Sequence, residues 1–111
     1  MKHKHFYSHL IETTDITIEL AEIELTPDER VHLVSLIEAN IHSTVIETVL
    51  SNLPKEDKKI FLKNLVSNDH EIIWVHLKSR TKNIEEKIIK SVGVLKKDFY
   101  KDIKEIQKDK N

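Results

Sequence analysis

The scarcity of turn-forming residues restricts this chain more than any other feature of its sequence. Its 111 residues include one glycine, two prolines and no cysteine. Tight β-hairpins need residues with positive φ, most often glycine, so such a chain is poorly suited to most β architectures. The lack of cysteine also excludes disulfides and cysteine-based metal sites. We therefore predict an all-α fold, with residues 1–111 forming a single domain.

The clearest helix start is at Thr26. Thr26 predicts an N-cap, Pro27 suits the first helical position, and Glu29 completes a capping box. Apolar residues then recur at steps of three and four almost as far as Pro54, which disfavours helix at the residue before it. The pattern predicts a long helix over about 27–52.

Two shorter segments follow this helix. Pro54 opens the first of them, which we expect to end near Asn68. Asp69 is a good N-cap for the second, over about 71–79, because its carboxylate can accept a hydrogen bond from a free backbone N–H group. This second segment has little polar surface. It is therefore either the most buried element or an element with one face that contacts a partner.

The last helix is predicted over about 83–107, with Thr81 or Asn83 as its N-cap. Its apolar residues form a narrow stripe at steps of three and four over more than six turns. Gly93 costs about 1 kcal/mol relative to alanine inside a helix, so we expect it to allow the close approach of another helix. Residues 108–111 should fray.

The expected architecture is an all-α bundle of four to five helices, in which the long helices over about 27–52 and 83–107 pack antiparallel. Asparagines lie at the predicted junctions, at Asn52, Asn68 and Asn83. In a chain with one glycine, asparagine is the residue that best tolerates the left-handed conformation that ends a helix.

The spacing of apolar residues before Thr26 is less distinctive. Ile16, Leu20 and Ile23 have helical spacing, and Asp15 is a plausible N-cap. The same stretch also alternates like a strand, but no partner strand is predicted elsewhere. We therefore predict a short helix here.

The first residues, 1–12, are expected to form a mobile, basic N-terminus. Its basic and imidazole side chains are Lys2, His3, Lys4, His5 and His9. Adventitious metal binding and contact with an anionic surface are the alternatives. Two apolar pairs with i, i+4 spacing, Phe6 with Leu10 and Tyr7 with Ile11, would fit a short helix within this segment.

Charge is divided unevenly along the chain. Residues 1–77 carry seven Lys or Arg against thirteen Asp or Glu, and residues 78–111 carry eleven against six. Such a division can reflect attraction within the molecule, head-to-tail association, a partner for one end, or simply two solvated helix faces of opposite sign.

The sequence also bears on the compartment. The N-terminus lacks the apolar stretch of a signal peptide. No apolar run reaches the roughly 20 residues that span a bilayer. We therefore expect a cytoplasmic protein that does not enter a membrane.

Five structural signals occur in order along residues 15–103. They are a short helix with a Leu-rich end (16–25), a Thr-Pro-Asp-Glu start (26–29), a Leu-Pro-x-Glu-Asp entry (53–57), an Asn-Asp turn (68–69) before Ile-Ile-Trp-x-x-Leu, and an Asn-Ile-Glu-Glu start (83–86). In this order the chain resembles a small all-helical bacterial domain-of-unknown-function family that is common in candidate-phylum bacteria. The resemblance implies an all-helical fold, and it brings no activity, cofactor or site residues.

Histidine is unusually frequent, with seven residues. Glu29 and His32 form a Glu-x-x-His pair, but di-iron bundles use two such pairs and the chain has one. Glu38 and His42, with i, i+4 spacing, could hold zinc only if a third ligand came from elsewhere. Surface or half-buried histidines are the simpler interpretation.

Catalytic motifs are missing from the sequence. His70 and His76 are six residues apart and project differently from a helix. There is no Gly-x-Ser-x-Gly elbow, and one glycine cannot build a phosphate-binding loop. We therefore predict no catalytic, cofactor-binding or metal-binding residues and a protein that is not an enzyme; a His/Glu metal-site protein is the third hypothesis.

Nucleic-acid binding is the alternative function. The basic residues of the C-terminal third are Lys78, Arg80, Lys82, Lys87, Lys90, Lys96, Lys97, Lys101, Lys104, Lys108 and Lys110. Only one of these is arginine, the usual reader of bases, and acidic residues are interspersed among them. Nucleic acid is therefore not the expected partner.

The long apolar stripes favour a protein–protein interaction or self-association module. A helix over 27–52 needs a partner of similar length, either the last helix of the same chain or another subunit. Packing within the chain is the simpler answer, and homodimerisation through the remaining apolar surface is its extension. We expect the partner to be another protein or a second copy of this one.

Overall fold

The computed structural model describes the backbone of residues 5–11 and 14–110, and the side chains of residues 5–11, 16 and 18–105. Its five helices are α1 (Thr14–Ala21), α2 (Pro27–Ser51), α3 (Lys55–Ser67), α4 (His70–Arg80) and α5 (Ile84–Lys110). No strand occurs in the described backbone. The predicted all-α fold, with two long helices, is confirmed.

The start of α2 has the predicted capping box. The backbone N–H of Glu29 donates to Thr26 Oγ1 at 3.1 Å, and the backbone N–H of Thr26 donates to Glu29 Oε1 at 2.9 Å. Pro27 takes the first helical position, where it loses no hydrogen bond. These contacts satisfy two otherwise free backbone donors and set the first residue of α2.

Asparagines end or precede helices as the sequence indicates, with one difference. Asn68 and Asn83 have φ angles of 56° and 57°, in the left-handed region. Asn52 also follows a helix, but its φ angle is −104°, so it caps α2 without this conformation. Pro54 occupies the N-cap position of α3 instead of its first turn. Asp69 caps α4 as predicted, accepting from the backbone N–H of Ile72 at 3.2 Å.

The two long helices pack antiparallel, as the sequence predicts. Lys87, near the start of α5, donates a hydrogen bond of 2.8 Å through Nζ to Oδ1 of Asn52, just after the end of α2. Between the two helices lies one apolar core. Its buried members on α2 and α5 are Ile37, Ile41, Val45, Val49, Ile84, Ile88, Val92 and Ile103. This pair of helices forms the long axis of a molecule that measures 51 × 25 × 20 Å.

The N-terminal segment differs from the sequence-based expectation. Phe6 and Tyr7 are 2% and 4% exposed, so residues 5–11 pack into the core instead of forming a detached tail. They adopt turns closed by bonds from Ser8 N to the His5 carbonyl and from Leu10 N to the Tyr7 carbonyl, not a helix. The sequence could not show this, because its i, i+4 pairs fit a helix equally well. Lys2, His3 and Lys4 lie outside the described residues.

The ends of α1 and α5 need small corrections. α1 forms as predicted, and Ile16 and Leu20 are buried, but Asp15 lies inside its first turn and not at the N-cap. The side chain of Asp15 lies outside the described residues. The backbone of α5 stays helical to Lys110, so the fraying expected for 108–111 is not seen over the part that is described.

α2 is apolar enough, by length and composition, to cross a membrane. No such segment is expected from the sequence, in which no apolar run reaches the roughly 20 residues that span a bilayer. A helix of this kind is weak evidence for a membrane location, since core helices of water-soluble proteins and signal sequences satisfy the same criteria. In this structure α2 contributes Ile37, Ile41, Val45 and Val49 to the core.

Gly93 does not have the predicted packing role. A Cβ atom built on Gly93 would meet no heavy atom within 4 Å. Its φ angle is not positive either. No helix of the described part of the chain therefore approaches closely at this point, and the expectation of close packing is wrong.

Replacing Gly93 with alanine should therefore stabilise the protein. Alanine restricts the unfolded chain and favours helix, and the space for its methyl group is open. We expect the free energy of unfolding of the Gly93→Ala variant to rise by about 0.5–1 kcal/mol in urea titrations. A decrease would show that a close contact does exist there.

Candidate functional site

A buried carboxylate joins α3 to α4. Asp57, in the first turn of α3, is 6% exposed. Its Oδ1 lies 2.9 Å from His76 Nε2 and 3.2 Å from Arg80 Nε. His76 and Arg80 are one turn apart on α4, so both side chains reach the same oxygen. The contacts fix α4 relative to α3 at one end of the hairpin that they form.

The surroundings of this carboxylate indicate a structural role. A buried aspartate and histidine in contact could form part of a catalytic set if a nucleophile lay beside the ring. The nearest hydroxyl in sequence, Ser79, donates instead to the backbone carbonyl of His76 at 2.7 Å. Asp57 also lies in the first turn of α3, where the helix dipole favours a negative charge.

Beside this network, α3 and α4 enclose an open groove. Its lining residues are Ile60, Asn64, Glu71, Ile72, Val75 and His76. The three apolar ones, Ile60, Ile72 and Val75, are 43%, 50% and 65% exposed. Large apolar side chains that share one exposed groove are typical of surfaces that contact a partner. This groove is the candidate functional site, and we refer to it as the α3–α4 groove.

The sequence pattern of α4 explains why the groove exists. Ile73 and Leu77 point into the core and are fully buried, whereas Ile72 and Val75 lie on the outer side of the same helix. A short helix with apolar residues on both sides cannot bury them all against one bundle. The exposure of Ile72 and Val75 shows that this segment is not the most buried element. The alternative, that one of its faces contacts a partner, stays a prediction.

The opposite side of α4 is covered by the N-terminal segment. Trp74 donates a hydrogen bond through Nε1 to the backbone carbonyl of Phe6 at 2.8 Å. The ring of Phe6 lies 5.5 Å from that of Trp74 and 5.7 Å from that of Phe61 on α3. Residues 5–11 thus hold the hairpin against the bundle and leave the groove side uncovered.

A second cluster forms where residues 5–11 cross α2. The Tyr7 hydroxyl lies 2.9 Å from His42 Nδ1. The ring of His5 stacks on that of Tyr7, with centroids 5.0 Å apart and planes 1° apart. Burial, and to a smaller extent the negative charge of Glu38, raises the pKa of Tyr7 to about 12. No sequence pattern predicts this cluster, because Tyr7 and His42 are far apart in the chain and their contact leaves no local signal.

The Glu-His pairs are placed as follows. Glu29 and His32 are exposed, and Glu29 serves the capping box. Glu38 and His42 line one shallow groove with His5. Among the residues with described side chains, however, no three His, Asp or Glu are arranged to hold a metal ion.

The remaining candidates are separated. His70 Nε2 lies 3.1 Å from Asn68 Oδ1, whereas His76 contacts the buried carboxylate, so the structure does not bring these two histidines together. The exposed side chains of α5 carry both signs of charge. The exposed lysines at 97, 101 and 104 alternate with exposed acidic residues at 98, 102 and 105.

Comparison of the chain with protein-family models, with curated proteins and with solved structures gave no match in any of the three. The resemblance to a small bacterial family therefore stays a prediction.

The Asp57 contacts should contribute measurably to stability. In the Asp57→Asn variant His76 and Arg80 lose a charged acceptor, and we expect the free energy of unfolding to fall by about 1–3 kcal/mol. Glu56→Gln is the matched control, because it removes an exposed carboxylate from the same turn. Urea titrations that show equal losses for the two variants would contradict a specific role for Asp57.

The raised pKa of Tyr7 should make stability depend on pH in the alkaline range. The folded protein holds the phenol proton up to about pH 12, whereas the unfolded chain loses it at about 10.0. The unfolded state therefore binds fewer protons in this window, and the free energy of unfolding contributed by Tyr7 falls as the pH rises from 10 to 12.

The matched variant for this test is Tyr7→Phe, which has no phenol to ionise. Every other side chain is the same in both proteins, so the difference between the two pH profiles isolates Tyr7. We expect this difference to shrink above pH 10.0 in urea titrations at a series of pH values. Parallel profiles would show that the pKa of Tyr7 is not raised.

Proposed function

We propose that this protein is a non-enzymatic, cytoplasmic interaction module that binds another protein, or a second copy of itself, through the α3–α4 groove. In this proposal the antiparallel pair of α2 and α5 is the scaffold, and the hairpin of α3 and α4 is the contact element. The module acts by presenting a shaped apolar surface and performs no chemical reaction.

The observation that carries the proposal is the exposure of Ile60, Ile72 and Val75 in one groove. Keeping such side chains in water is unfavourable, at about 25 cal/mol per Å² of apolar surface. A partner that covers them recovers this free energy. Recurrent protein contacts of this kind place the apolar face of a helix in a groove between two helices.

Rigidity of the hairpin supports the same function. The Asp57 contacts hold α3 and α4 together at one end, and the bond from Trp74 to Phe6 holds α4 to the N-terminal segment. A groove that is already formed loses less conformational entropy when a partner binds. This arrangement favours a preformed binding surface over one that folds on contact.

Site-specific photo-crosslinking tests the proposal. Val75→benzoylphenylalanine places a photoreactive ring in the groove, and the matched control places it at Val66 of α3, which is 88% exposed and does not line the groove. We expect light-dependent crosslinks to protein from position 75 at several times the yield from position 66, in cells if the partner is another protein and also with the purified protein if it is a second copy.

Two results would contradict parts of this proposal. Equal yields from the two positions, or no crosslinks from position 75 in either setting, would show that the groove is not a contact surface. Recovery of the crosslinked species only with the membrane fraction would contradict a cytoplasmic location.

A further inference from the structure

Two opposite charges bracket the exposed apolar residues of α4. Glu71 and Lys78 are both exposed, and they are seven residues apart, which places them on the same side of the helix. Their separation along the axis is about 10.5 Å at a rise of 1.5 Å per residue. Val75, 65% exposed, lies between them.

The charge pattern of α4 is complementary to that of a second α4 that runs in the opposite direction. If a second α4 lies antiparallel against the first, with a two-fold axis close to Val75, Glu71 of each copy comes beside Lys78 of the other. Two ion pairs then flank one apolar contact. Two-fold dimers use the same surface on both subunits, so a self-complementary pattern is what such an interface requires.

The apolar residues fit the same arrangement. Val75 protrudes most of the three exposed residues, and Ile60 and Ile72 line the groove beside it. In the antiparallel arrangement the two Val75 side chains meet near the two-fold axis, and the outer face of each α4, with Ile72, lies over the groove of the other copy. Ser79, two turns after Ile72 on the same side of α4, is small enough to leave room for the isoleucine of the second copy.

Lys78 forms only a weak ion pair within its own chain, so its ammonium group can bind Glu71 of a second copy. Lys78 Nζ lies 3.7 Å from Glu85 Oε1, and the two side chains are 62% and 42% exposed. Ion pairs between exposed side chains contribute little to stability, because water screens the two charges. Exchanging this contact for one with Glu71 of a second copy therefore costs little.

We propose that the α3–α4 groove is occupied by α4 of a second copy of this protein, in an antiparallel two-fold contact centred near Val75. The inference rests on the proposed function and names its partner. A partner of another sequence is the competing outcome, and it would leave the groove in use without this symmetry.

Charge reversal provides a direct test. The single variants Glu71→Lys and Lys78→Glu each place like charges opposite one another in both pairs of a homodimer. In sedimentation experiments over a concentration series, we expect the wild-type protein to dimerise and each single variant to dimerise at least about tenfold more weakly, which corresponds to about 1.4 kcal/mol.

Mixing the two variants tests whether Glu71 of one copy lies beside Lys78 of the other. An equimolar mixture contains one chain with two lysines and one with two glutamates at these positions, so both pairs are restored across a heterodimer. The double variant E71K/K78E restores them within a homodimer. We expect both samples to dimerise with nearly wild-type affinity. Lys90→Glu, an exposed lysine on α5, is the control for a simple change in net charge.

The outcomes separate this inference from the proposed function. Single variants that dimerise as the wild-type protein does, or a mixture that fails to recover, would overturn the two-fold contact. A wild-type protein that stays monomeric at every concentration, while Val75 still crosslinks to another protein in cells, would overturn the self-association and leave the interaction module standing. Circular dichroism shows whether each variant retains its helices.

Discussion

The apolar contact between α2 and α5 supports the rest of the structure. Both helices depend on it, because most helical stability in proteins comes from the packing of an apolar face. α2 is rich in β-branched residues, whose helix propensity is low, so it depends on this contact more than α5 does. Val45, Val49 and Ile88 are fully buried members of this contact. Because the pair runs the length of the molecule, the shorter elements can attach to it without building a second core.

The hairpin of α3 and α4 is attached by different means at its two sides. Toward the bundle it buries Phe61, Ile73 and Leu77. Between its own helices it uses a buried carboxylate, whose removal from water is unfavourable unless charged and polar donors replace the lost hydration. His76 and Arg80 provide these donors to Asp57. Such a contact has strict geometric requirements, which is how it holds the groove in one shape.

The N-terminal segment shows how a weak local pattern can conceal a well-defined tertiary role. Its charges and histidines are typical of a solvated tail, and the first residues carry both. Phe6 and Tyr7 are nevertheless buried, since Trp74 and His42 provide hydrogen-bonding partners and the bundle provides an apolar pocket. The same segment covers one side of α4, so it also determines which side of that helix stays exposed.

The sequence by itself determined the elements that depend on neighbouring residues. The capping box at Thr26, the caps at Asn68 and Asp69, and the periodic stripes of both long helices act over one or two turns, and the structure confirms them. Only the tertiary structure decided that Gly93 lies in open space and that α4 exposes Ile72 while it buries Ile73. The physical reason is the separation along the chain over which each interaction acts. Helix caps and apolar periodicity depend on hydrogen bonds and spacing between neighbouring residues. The exposure of a helix face depends on which distant segments pack against it, so it is determined only when the whole chain folds.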